Sequence, residues 1–114
     1  MRTIIAGTRT ITDRELVIRA IIESGFNITT VLCGLAEGPD TFGLEWAKEN
    51  NIPYELYPAN WGRFRNGAGP QRNSLMIWKA EALIAIWDGK SSGTKDVIEK
   101  AYKKGIKVYV LKVE

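Results

Sequence analysis

The residues best suited to chemistry sit in one stretch. The run Ala82-Leu83-Ile84-Ala85-Ile86-Trp87 is followed by Asp88-Gly89-Lys90-Ser91-Ser92-Gly93-Thr94. An apolar run of strand length gives way to glycines and hydroxyls, and a helical pattern begins near Gly93. That layout is an anion site. Glycines let the backbone come close, Ser91 and Thr94 add donors, and the helix start adds its dipole and free amides. Such a site suits the phosphate of a nucleotide or of a nucleotide-derived ligand.

Other residues extend the set. Gly7-Thr8-Arg9-Thr10 follows a first apolar run, and Cys33-Gly34-Leu35-Ala36-Glu37-Gly38-Pro39-Asp40 follows a second. Arg9 has the planar fork that matches a phosphate, or it is a surface arginine at a strand end. Arg72, in Gly69-Pro70-Gln71-Arg72-Asn73, lies in the first turn of a helix. A positive charge there opposes the dipole unless an anion binds, or unless the side chain folds onto a carboxylate such as Glu45 or Asp40. Asp88 can meet a ribose hydroxyl, orient its loop, or cap the turn with Gly89. Lys90 reads as a solvated loop lysine and Asp40 as a helix cap. The ligand-binding set is therefore Gly7, Thr8, Arg9, Gly34, Arg72, Asn73, Asp88, Gly89, Ser91, Gly93 and Thr94. Any catalysis falls to Asp40, Asp88 or Asp96.

Composition narrows the chemistry. The chain has no histidine and one cysteine, Cys33. The usual general base is missing, and a transition-metal site is not expected. The first loop lacks G-x-G-x-x-G, and no G-x-x-x-x-G-K-[ST] occurs, so no cofactor is implied. A net charge of +3 suits anionic ligands without demanding nucleic acid. A lone cysteine suits a reducing cytoplasm. There is no signal-peptide pattern, and no stretch approaches the roughly 20 apolar residues of a membrane span.

The elements that position these residues follow from periodicity. Strand-type runs occur at Thr3–Ala6, Thr30–Cys33, Tyr54–Tyr57, Leu83–Trp87 and Val108–Val113. Helical patterns separate them. The first opens on a capping box, Thr12-Asp13-Arg14-Glu15, and closes at Ser24-Gly25. The second spans about Pro39 to Asn50, the third follows Pro70, and the fourth follows Thr94. The fourth is expected to bury Val97, Ile98, Ala101 and Tyr102. Trp46 and Trp78 are expected to face the core, whereas Trp61 and Trp87 lie near loops and could stack on a base. Residues 58–69 read as one long irregular loop, of the kind that forms lids.

Alternation of strand and helix predicts a single α/β domain over residues 1–114, with a doubly wound, Rossmann-like parallel sheet of five strands in the order 3-2-1-4-5. The order reverses between strands one and four, and ligands bind beyond the carboxyl ends there. The three polar loops converge on that edge.

These residues also resemble a family. Gly7-Thr8-Arg9 is similar to the G-S-R start of the YspA/YpsA-related branch of the SLOG superfamily. Pro58-Ala59-Asn60-Trp61 resembles its P-A-D-W. The Ala36, Gly38 and Asp40 loop and the stretch Ala68-Gly69-Pro70-Gln71-Arg72-Asn73-Ser74-Leu75-Met76 also match. Leu83 to Thr94 is similar to L-I-A-F-W-D-G-x-S-x-G-T. The resemblance implies a Rossmann-like SLOG fold that binds nucleotides or molecules derived from them. Relatives include Smf/DprA-type DNA-processing proteins, LOG phosphoribohydrolases and sensors of NAD-derived signals.

Two departures bear on function. Leu35 stands where the family shows a second glycine after Gly34, which restricts backbone approach. The LOG enzymes resemble P-G-G-x-G-T-x-x-E, with a catalytic glutamate; here Val97 holds that position and Asp96 is one residue off, about 100° around a helix. The expected function is a sensor or sequestering module for an AMP-, ADP-ribose- or NAD-derived or cyclic nucleotide ligand, without evident catalysis. One alternative is hydrolysis of a nucleotide N-glycosidic bond. Another is DNA binding through Lys100, Lys103, Lys104, Lys107 and Lys112, which read rather as a solvated face. The ligand is a small molecule, nucleic acid and membrane are not expected partners, and a homodimer or higher homo-oligomer is.

Overall fold

A computed structural model describes all residues 1–114. Five strands form one sheet: β1 (Arg2–Gly7), β2 (Thr30–Cys33), β3 (Tyr54–Leu56), β4 (Ala82–Trp87) and β5 (Lys107–Lys112). Every neighbouring pair is parallel, and the order is β3-β2-β1-β4-β5, as the alternation of elements predicts. The helices are α1 (Arg14–Ser24), α2 (Pro39–Glu49), α3 (Trp61–Phe64), α4 (Ala68–Lys79) and α5 (Ser92–Lys104).

Period-two alternation sorts the central strands onto two faces. Ile4, Leu83 and Ala85 point to α4 and α5, joined by Met76, Ile77 and Val97. Ile5, Ile84 and Ile86 point to α1 and α2, joined by Val17, Ile21 and Ala47. A strand covered on both faces must be apolar throughout, which is why β4 reads as an unbroken run.

The helix ends follow local rules with some shifts. Asp13, not Thr12, caps α1; its carboxylate accepts from the amide of Glu15 at 3.0 Å. Gly25 ends α1 in the left-handed conformation, with φ 66°. The stretch 58–69 is not one irregular loop. Asn60 accepts from the amide of Arg63 at 3.0 Å and starts the short α3. A 3-10 turn (Arg65–Gly67) then leads into α4, which begins at Ala68, two residues before Pro70. Two aromatic placements are also corrected. Trp78 is 78% exposed and Tyr102 is 64% exposed, because their helical positions fall outside the stripes that Met76–Ile77 and Val97–Ala101 turn inward.

Candidate functional site

The loops after β1, β2 and β4 meet the first turns of α4 and α5 at the carboxyl edge of the sheet. Gly7 ends β1. A Cβ there would lie 2.4 Å from the Ile86 carbonyl oxygen and 2.7 Å from Pro39 Cγ, so only glycine lets β1, β4 and α2 close together. Thr8 is buried. Its amide donates to the Ile86 carbonyl at 2.9 Å, and its hydroxyl donates to Asp88 Oδ1 at 3.2 Å.

Asp88 organises the β4–α5 loop. Its Oδ1 also accepts from the amides of Lys90 and Ser91, each at 2.8 Å. The Ser91 and Lys90 amides hold its carboxyl below the usual carboxylate range. Of the roles the sequence allowed, orienting the loop is the one this geometry displays. Gly89 supplies the φ of 80° that the turn needs. Ser91 caps α5, its hydroxyl oxygen accepting from the Thr94 amide at 3.5 Å, and Thr94 is buried beside it. The amides of Ser92 and Gly93 have no acceptor within the chain. A Cβ on Gly93 would meet nothing within 4 Å, so space lies open over the helix start.

Arg72 is half-buried, and its guanidinium folds back across the β2–α2 loop. One Nη donates to the Gly34 carbonyl, and Nε donates to Asn73 Oδ1 at 2.9 Å. A Cβ on Gly34 would fall 2.6 Å from that nitrogen and 2.9 Å from Asp40 Oδ2, so this glycine makes room for both charges. Asp40 is 4% exposed. Burial pushes its carboxyl up to about 6, against the opposing pull of Arg72 and of the Ala36, Gly7 and Gly34 amides. Arg72 thus takes the fold-back alternative toward Asp40, without a direct ion pair to it.

Asn73, in the second turn of α4, ties that helix to the start of α5. Its Nδ2 donates to the Gly93 carbonyl at 3.3 Å and to Asp96 Oδ2 at 3.0 Å. Asp96 Oδ2 also accepts from Lys100 Nζ at 2.9 Å. Arg9 is exposed on the β1–α1 loop, and its guanidinium has no partner within the chain. The structure therefore brings Gly7, Thr8, Asp88, Gly89, Ser91 and Thr94 into one framework, and Gly34, Arg72, Asn73, Gly93, Asp40 and Asp96 into a polar cluster beside it.

Sequence reasoning missed two parts. Cys33 holds the β2–α2 loop: its thiol donates to the Asp40 carbonyl at 3.4 Å, and its sulfur accepts from the Leu35 amide at 3.3 Å. Burial pushes this thiol up to about 11, so it stays protonated. A cavity of about 650 Å³ at this edge opens between Thr10–Asp13, Leu16, Asp88, Lys90 and the end of β5 near Lys112. Residues so far apart in sequence carry no shared motif. No group of side chains has the composition of a metal site, and no helix is long and apolar enough to cross a membrane.

Fold and site together define a Rossmann-like α/β domain with a glycine- and hydroxyl-rich loop at its switch point. The chain belongs to the YspA, cpYpsA-related SLOG family, which matches residues 1–64. Among solved structures it is similar to DNA processing protein A (DprA) from Streptococcus pneumoniae, with a TM-score of 0.75 and 16% identity over 96% of this chain and 49% of that one. At that identity the likeness is one of fold, and the chain spans about half the length of its neighbour. No curated protein sequence matches significantly.

Proposed function

We propose that the chain is a nucleotide-binding module that senses or sequesters its ligand. The observation that carries this reading is the start of α5, where Ser92 and Gly93 are exposed and their amides have no acceptor within the chain. Free helix-start amides bind an anion by geometry. Arg9, unpaired on the neighbouring loop, supplies a second charge, and Arg72 supplies a third once it leaves the Gly34 carbonyl. Membership of a SLOG family supports a nucleotide-derived ligand. Two of the three candidate carboxylates are engaged within the chain, which favours binding over cleavage. Asp88 is committed to three donors, Asp96 is tied to Asn73 and Lys100, and Val97 is 2% exposed in the core.

One observation favours a second reading. A carboxyl pushed up to about 6 beside an arginine has the properties of a general acid, so Asp40 is the residue on which N-glycosidic cleavage would rest. Titration calorimetry of the purified protein with AMP, ADP-ribose, NAD and cyclic nucleotides tests the first reading. Binding of at least one, weakened at least about tenfold by Arg9→Ala, is expected from the loss of a charge-assisted contact. No binding to any of them sinks the proposal. Release of free base from a nucleoside monophosphate, lost in Asp40→Asn, would favour the second.

A further inference from the structure

Away from the carboxyl edge, α4 and α5 together carry an unusual surface. Trp78 is 78% exposed and Leu75 is 49% exposed, one helical turn apart. Beside them a hollow of about 230 Å³ opens between the two helices, lined by Ser74, Ile77, Trp78, Lys100, Lys103 and Lys104. Lys104 Nζ stands 5.7 Å from the centroid of the indole ring and donates to the Ile77 and Trp78 carbonyls at 2.6 and 2.7 Å. Those bonds cap α4 and fix the amino group beside the ring. The tryptophan is thus an ordered apolar surface with a cation on one side.

The charges around it are unbalanced. Lys100 is matched by Asp96 at 2.9 Å. The other carboxylate nearby in sequence, Glu99, leans to Lys95 at 3.9 Å. Neither Lys103 nor Lys104 has a carboxylate partner. An exposed aromatic and leucine rimmed by uncompensated amino groups is the pattern of a docking patch with one apolar anchor. A second copy of the chain packed face to face would bring the same charges against these, which costs rather than gains. A single-stranded nucleic acid would bring the right sign, but its tracks need several aromatics for successive bases. Here there is one indole, with a lysine already beside it.

We propose that the α4–α5 face docks an acidic protein segment, whose single aromatic or leucine side chain enters the hollow beside Trp78 while its carboxylates meet Lys103 and Lys104. This surface adjoins the carboxyl-edge site on one side, where Ser74 follows Asn73 in α4 and Lys100 donates to Asp96, while about 15 Å of helix separates Gly93 from Lys103.

The test uses the full chain and a short synthetic peptide of glutamates around one phenylalanine. The readout is the indole N–H resonance of Trp78 in a titration at low salt. Binding is expected to shift that resonance and to weaken with salt. Trp78→Ala and Lys103→Glu should each weaken it about tenfold or more, the scale of an anchor or a desolvated charge. Both positions are exposed, so an unchanged melting temperature shows that the variants are folded. The proposal is overturned if the peptide does not bind, or if replacing its glutamates by glutamines leaves the affinity unchanged. It is equally overturned if oligothymidylate binds the patch more tightly at the same salt. Concentration-dependent dimerisation abolished by Trp78→Ala would assign the face to a second copy instead.

Discussion

Single residues at the carboxyl edge hold conformations and charges that the fold tolerates at a cost. Leu35 has a φ of 63°, in the left-handed region, with its side chain 45% exposed. That conformation costs a non-glycine residue about 1–2 kcal/mol. The sequence displayed the oddity as a leucine where the family shows glycine, but not that the backbone stays in the glycine conformation. Leu35→Gly should leave stability unchanged or raise it by up to about 1 kcal/mol, because relief of strain offsets lost contacts and added chain entropy. Leu35→Val should lose about 1–2 kcal/mol in urea unfolding, since a β-branched residue fits that region worst. Asp40 carries the second cost. Its carboxyl titrates near 3.8 in the unfolded chain and at about 6 when folded. Between those values the unfolded state has given up the proton and the folded state keeps it, so stability falls as pH rises through that window and stays lower above it. The loss is about 3 kcal/mol at full extent. Asp40→Asn abolishes the titration. Relative to wild type, its unfolding free energy should therefore gain about 2–3 kcal/mol on going from pH 3.5 to pH 7. No such pH-dependent difference would mean that the carboxyl is not held protonated.

At the scale of elements, two glycines of the same motif type do different jobs. Gly7 has no room for a Cβ, with Ile86 and Pro39 both closer than 3 Å to the position one would take. Gly93 has empty space instead. The sequence placed both in a ligand set, because a glycine at a strand end looks alike whether it admits a phosphate or a neighbouring helix. Gly7→Ala should therefore destabilise by about 2–3 kcal/mol through overpacking. Gly93→Ala should stabilise α5 by up to about 1 kcal/mol, while weakening nucleotide binding by intruding over the free amides. Thermal melting with and without ligand separates the two effects. If Gly93→Ala leaves affinity intact, the start of α5 is not the anion site. The elements were legible to different degrees. Strands β2 and β4 stand out because their apolar runs are bounded by turn residues. The start of α4 was harder, since Pro70 is a strong start signal but the 3-10 turn before it carries the helix back to Ala68. Trp78 was misplaced for a related reason. Its spacing to Leu75 mimics an inward stripe, although Met76 and Ile77 are the residues that face the sheet.

Across the whole molecule the sheet order was readable because a parallel sheet with right-handed crossovers leaves few arrangements for this alternation. What could not be read was contact at a distance, such as Asn73 joining α4 to α5 or Arg72 meeting Gly34, since side-chain direction depends on packing that no local pattern encodes. The two cores are expected to melt as one unit, because they share the central strands. Consecutive residues of β4, Leu83 and Ile84, are both fully buried but face opposite sides of the sheet. Stripping the helices from one face would leave β4 and β1 half uncovered and unable to hold the other. With a radius of gyration of 12.6 Å, the chain has the compactness of a single domain of its length, about 13 Å. Leu83→Ala and Ile84→Ala should each cost about 2–5 kcal/mol, and each should lower the single melting transition rather than create a second. Near-ultraviolet circular dichroism follows the tryptophans, Trp46 packed on one core and Trp87 on the other. Its midpoint should coincide with that of the far-ultraviolet signal in wild type and in both variants. Separate midpoints in either variant would show that one face can melt alone. In that case α4 and α5 open independently of α1 and α2, and the loops of the carboxyl edge would be exposed by local rather than global unfolding.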